Sequence, residues 1–272
     1  MKKRNLLSRL RTNGWLYLVS ALILLLLTPL YQLLVLNPAG FDDTRLVGRM
    51  DAYFLWIQQH TLHFLIYRGL LFLAFALLFT FPYSLYRIIV AQELMRQLEE
   101  GEEQESEKPQ EEDEHQAEGM PSFAWRGKGF AVLAAWLGTI GILIFLLGTL
   151  IGTIYVTLTA QNFHGSTIAG GTIQFTNIFT ITTNAVAIGI LALSSLFFGA
   201  MIARSGRTLW PTSWLLFGYC GLAVSAPLSG SAVGVACSPA TGQSPLTTYA
   251  ILFFAAWILW FSIMLVRLRA EE

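Results

Sequence analysis

No Asp, Glu, Lys or Arg occurs from Gly129 through Ala203, nor from Thr208 through Val266. A soluble domain carries about 25% charged residues, distributed over every surface element. Two long tracts without a single charge cannot face water along their length. The whole chain agrees, since of its 272 residues 54% are hydrophobic and 12% charged, with a mean hydropathy of +0.56. Intrinsic disorder requires the opposite composition. Two cysteines are too few for a disulfide-stapled scaffold. The chain is therefore expected to fold in a lipid bilayer.

A helix needs about 20 apolar residues to cross about 30 Å of hydrocarbon. Six runs qualify: Trp15–Leu36, Leu62–Phe81, Phe130–Leu158, Ile178–Ala203, Ser213–Ala236 and Tyr249–Val266. None shows the period-2 alternation of barrel strands, so they read as helices. The expected fold class is an all-α integral membrane protein, a six-helix transmembrane bundle. With the N-terminus inside, 14 of the 17 Lys and Arg fall on the cytoplasmic side. Arg45 and Arg49 fall outside, and Arg68 lies within the second run. That asymmetry places both termini in the cytoplasm. The absence of any Asn-x-Ser/Thr sequon is compatible with a bacterial inner (cell) membrane.

The chain divides accordingly. Residues 1–14 form a basic cytoplasmic head, and 15–98 hold the first two transmembrane helices with an outer interfacial helix over 43–60. In that helix Met50, Tyr53, Phe54 and Ile57 recur at three- and four-residue steps, while Tyr53 and Trp56 suit the headgroup boundary. Residues 99–122 read as an acidic disordered linker, since Glu93 to Glu118 contains 12 acidic residues. Residues 123–272 hold the remaining four helices, with Gln161 to Thr176 as an outer polar loop.

Arg68 is the one formal charge inside a run. An intramembrane charge marks a functional site by default. Yet Arg68 is only about 9 Å from Leu62 along a helix, so it can also snorkel to the outer interface and pair with Asp42, Asp43 or Asp51. His60, His63 and His164 all fall on the outer side and could together hold zinc or copper. Bland interfacial histidines satisfy the same pattern. In the fifth run, Pro227 followed by Ser229, Gly230 and Ser231 reads either as a simple kink or as a broken helix exposing backbone groups to a solute. Asn184 and the threonines near it either bond between helices or line a polar path.

Small residues recur at four-residue spacing, as in Ala134/Gly138, Gly148/Gly152, Ser195/Gly199 and Gly221/Ser225. Such faces let helices approach closely, within a bundle or between subunits. Catalytic signatures are missing: there is no HExxH, P-loop or GxGxxG opening a helix, and no histidine follows His164 to serve Ser229 or Ser231. One stretch, Phe197-Phe198-Gly199, Arg204-Ser205-Gly206, Pro211 and Trp214-Leu215, resembles a segment of uncharacterised bacterial multi-pass membrane proteins. It covers about 20 residues, and the resemblance implies no activity.

The expectation is thus a non-enzymatic membrane protein without a cofactor or nucleic-acid partner. Its first functional reading is an accessory or assembly subunit, packing on protein partners or on its own copies. The alternatives are a permease or channel-like transporter of a neutral or hydrophobic solute, and an outer-face metal or redox site.

Overall fold

The structure, a computed structural model, describes residues 3–41, 50–92, 122–163, 170–204, 211–238 and 245–267. These contain six helices long and apolar enough to cross a membrane. We label them α1 (Leu10–Leu36), α3 (Thr61–Gln92), α4 (Gly129–Gln161), α5 (Gly170–Arg204), α6 (Thr212–Cys237) and α7 (Thr247–Val266), with the short helix α2 (Met50–Gln59) between the first two. The all-α, six-span class is as expected, and no strand occurs among the described residues. Their outward faces carry Leu34, Leu62, Trp136, Ile154 and Val233, an apolar surface suited to lipid.

Each long helix packs antiparallel against its neighbour in the order α1, α3, α4, α5, α6, α7, and α7 returns to α1. The six close into a ring. At the end carrying both chain termini (the terminal end), Gly14 lies against Leu265 and Val266 and closes it. The opposite end is called distal below.

Glycine sets how closely these helices approach. A Cβ on Gly199 would stand 2.7 Å from the Leu222 backbone nitrogen and 2.8 Å from the Gly218 carbonyl oxygen. One on Gly218 would meet the Ala203 nitrogen at 2.9 Å. Backbone therefore touches backbone between α5 and α6, the small-residue contact expected in lipid. Gly138 sits against Pro82 and Ser194, Gly141 against Leu191, and Gly221 against the Trp257 ring.

Three helices run beyond the apolar runs of the sequence. The head expected over 1–14 is helical from Lys3 and continuous with the first span. The second span extends to Gln92 and is interrupted by a turn at Leu78–Thr80. Pro82 explains the turn, because its ring would clash with the carbonyl of Leu78 in a regular helix. Three-residue hydrogen bonds from Leu78 N to Phe75 O and from Phe81 N to Leu78 O tighten it (3.1 and 2.8 Å). The loop expected to Thr176 ends earlier, since α5 is helical from Gly170. Thr176 tolerates that by donating its hydroxyl to Thr172 O at 2.9 Å, so it leaves no polar group to lipid. Finally, Trp56 is buried and donates Nε1–H to Ala39 O at 2.6 Å, so α2 docks on the bundle through Phe54, Trp56 and Ile57. The first part of the interfacial helix, residues 43–49, and the linker up to residue 121 lie outside the described residues.

The glycine contacts give a sharp contrast. Gly199→Ala should destabilise by about 1–3 kcal/mol, because the atoms it meets are main chain. Gly69→Ala, with nothing within 4 Å of its added Cβ, should be neutral or gain up to about 1 kcal/mol of helix propensity. Unfolding of both variants in mixed micelles checks the difference.

Candidate functional site

The interior of the ring differs between its two halves. In the terminal half it is filled by aromatic rings. Phe81 packs on Trp257 and Phe261 with centroids at 5.6 and 5.5 Å, and Phe217 stacks on Trp257 at 5.0 Å. Tyr17 packs edge-on to Phe81 at 5.6 Å. Its hydroxyl is shared with Thr80 (2.8 Å) and Ser84 (2.7 Å), and Asn13 donates to Ser84 at 3.1 Å. Ser20 donates to Ala74 O at 2.8 Å, next to the turn made by Pro82. Carbonyls exposed by a break must be satisfied inside the protein when lipid surrounds it. This polar cluster went unseen in the sequence, although Pro82 flanked by Thr80 and Ser84 is its signal.

Mid-bundle, Phe75 stacks on Phe145 at 3.9 Å and faces Phe254 at 6.4 Å. On the distal side of these rings lies a cavity of about 30 Å³. Its polar lining is Arg68 from α3, Asn184 from α5, Ser231 from α6 and Thr247 from α7. Tyr67, Leu71, Phe145, Ile188, Ala250 and Ile251 complete the wall. Three of the residues singled out in the sequence thus meet in one place.

Each arrives for a local reason. Asn184 lies in a π-helical segment, Ile181–Val186, whose wider turn is closed by Ala187 N–H on Thr182 O. Such segments shift the register of a helix by one residue and recur at functional sites. Asn184 and Ile188, four residues apart, both line the cavity. Ser231 and Thr247 share a buried hydroxyl–hydroxyl bond of 2.9 Å, which joins the end of α6 to the start of α7. Arg68 is half-buried, with its guanidinium carbon 5.5 Å from the Phe64 ring centroid and its Nε buried without a hydrogen-bond partner. Farther along α4, the Thr149, Thr153 and Thr157 hydroxyls are also buried without partners. They recur at four-residue steps on the stripe begun by Phe145. Unpaired polar atoms are costly in an apolar interior and mark places where water or a solute completes the bonding.

The other candidates fall elsewhere. α6 is one continuous helix through Pro227, so the broken-helix alternative is not what forms. Ser229 is exposed on its outward side. Neither residue lines the cavity. His63 Nδ1 is 2.9 Å from the Tyr31 hydroxyl, and the His60 ring stacks on Trp56 at 5.0 Å. The two imidazole centroids are 6.3 Å apart, while His164 lies outside the described residues. Of the three expected partners of Arg68, Asp42 and Asp43 lie outside them too, while Asp51 stands in the first turn of α2 and is engaged there.

A larger cleft, of about 430 Å³, runs between α3 and α4 near Phe79, Tyr83 and Trp136. All three are exposed on the outside of the ring, where acyl chains of the bilayer fill such a groove. The interior cavity is the better candidate despite its size, because a charge and three polar side chains from four helices meet at its wall. Comparison with known protein families, with curated proteins and with solved structures finds no match.

The hydroxyl pair can be isolated by a double-mutant cycle. Thr247→Val alone should cost about 1–3 kcal/mol by leaving the Ser231 hydroxyl short of a partner. Combined with Ser231→Ala, the loss should be clearly less than the sum of the single losses.

Proposed function

We propose that the protein is a permease-like, non-enzymatic membrane protein whose solute site is the cavity between α3 and α7. The observation that carries this reading is the meeting of Arg68, Asn184, Ser231 and Thr247, from four helices, distal to an aromatic floor. Solute sites of carriers lie inside a bundle, between helices, with passage closed on one side at a time. The Phe75–Phe145–Phe254 contact supplies such a closure here. A cavity of about 30 Å³ accepts only the smallest solutes, so anything larger requires the ring to open.

The accessory-subunit reading draws less support. Gly138, Gly148, Gly199 and Gly221, which a partner helix would need, are covered within the chain. The preferred orientation places both termini in the cytoplasm of a bacterial inner membrane. The 14 basic residues assigned to that side support it.

Flux into proteoliposomes tests the reading. The purified chain should speed entry of at least one small solute over empty vesicles. Arg68→Gln should reduce that rate roughly tenfold or more, equivalent to about 1.4 kcal/mol of binding. Phe75→Ala should instead raise a passive leak by thinning the floor. Entry indistinguishable from empty vesicles across a panel of small ions and neutral solutes would end the permease reading. Stoichiometric foreign subunits in native mass spectrometry would restore the accessory one.

A further inference from the structure

We propose that the outer cleft between α3 and α4 holds one phospholipid with a net negative headgroup. Its acyl chain lies between Tyr83 and Trp136, and its phosphate rests on Arg87. The site is separate from the interior cavity and independent of the permease reading. Phe79, in the turn before Pro82, marks the mid-bundle end of the cleft. On α4 it extends from Thr139 to Val132, about 10 Å of helical rise toward the terminal end. Its volume of about 430 Å³ falls in the range of about 300–1,000 Å³ that ligand sites occupy.

The walls decide what fits. Phe79, Tyr83 and Trp136 are bulky and exposed, whereas helices that associate in lipid need small residues at the contact. The glycine of this stretch, Gly138, is already covered by Pro82 and Ser194. A partner helix therefore finds no close seat, and a thin, flexible acyl chain does. Charge then selects the headgroup. Arg87 is half-buried one turn beyond Tyr83, with its guanidinium carbon 5.5 Å from the Tyr83 ring centroid. That contact holds the charge beside the cleft on its terminal side. A guanidinium matches phosphate oxygens with a fork of donors, and the Tyr83 hydroxyl and Trp136 indole N–H add donors on the lining. Among the described residues the terminal end carries Arg11, Arg87, Arg204 and Arg267 and no acidic side chain. Asp51, the one acid described, stands in α2 on the distal side. An anionic headgroup is thus attracted there, while the ammonium of a zwitterionic one meets a like charge at Arg87.

Native mass spectrometry of the full-length protein tests this. The protein is titrated in micelles with phosphatidylglycerol and phosphatidylethanolamine of identical acyl chains. One phosphatidylglycerol per chain should be retained, roughly fivefold tighter than phosphatidylethanolamine, about what one basic side chain contributes at an anionic surface. Arg87→Gln should bring the two lipids level, and Arg87→Lys should keep part of the preference. Arg267→Gln, which removes a charge from the same end just past α7, should leave the preference intact. Ala135→Phe, which narrows the cleft, should lower retention of both lipids. Should Arg87→Gln fail to fold, thermal unfolding decides: phosphatidylglycerol should raise Tm over phosphatidylethanolamine, and by less in Arg87→Lys. Equal retention and equal Tm in the two lipids for the unmodified protein overturn the proposal. So does a preference that survives Arg87→Gln. A dimer that Ala135→Phe disperses, with no lipid retained, also overturns it and assigns the cleft to a second copy of the chain.

Discussion

A bilayer offers no hydrogen bonds, and the rest of this structure follows from that. Regular helix solves the problem for most of the chain, but two prolines interrupt the first two spans. At Pro29 the backbone widens into a π turn over Ile23–Leu27, closed by Thr28 N–H on Ile23 O, which relieves the crowding without leaving the helix. At Pro82 the helix breaks, and the cost falls on neighbours: Ser20 reaches across to Ala74 O, while Tyr17, Thr80 and Ser84 satisfy one another. The aromatic packing then encloses this cluster, so polar satisfaction and core filling are one arrangement in the terminal half.

In the distal half the same accounting is left open. There the unpaired atoms of Arg68, Thr149, Thr153 and Thr157 are buried without the local partners that Tyr17 or Ser20 enjoy. The Arg68 guanidinium is compensated in part by the Phe64 ring, 5.5 Å from its central carbon. Near the terminal end Gln92 is also buried with neither amide atom bonded, so unpaired polar atoms are not confined to the distal half.

How much of this was legible in the sequence depended on the range of the signal. The six helices were plain, because each is a long apolar run, and the ends that moved most were the start of the first helix, Gln92 and Gly170. Arg68 stood out as a lone charge, and Asn184 and Ser231 as polar residues in apolar tracts. Their meeting was not readable, because it depends on which helices are neighbours in the ring. Thr247 was missed altogether, since a threonine at a helix start is ordinary until it is seen bonded to Ser231. Pro227 left a kink and a break both open, and α6 continues through it, whereas Pro82 was passed over and does break its helix. Residue type alone does not separate the two.

The ring order has a consequence for biosynthesis. Helices inserted one after another lay down a curved palisade whose two edges stay apart until α7 arrives between α6 and α1. Until then Phe217, Tyr17 and Phe81 lack the Trp257 and Phe261 surfaces they stack on, and the cavity lacks its Thr247 wall. The last span is therefore the keystone: without it the ring is open on one side, and the cavity is complete only when the palisade shuts.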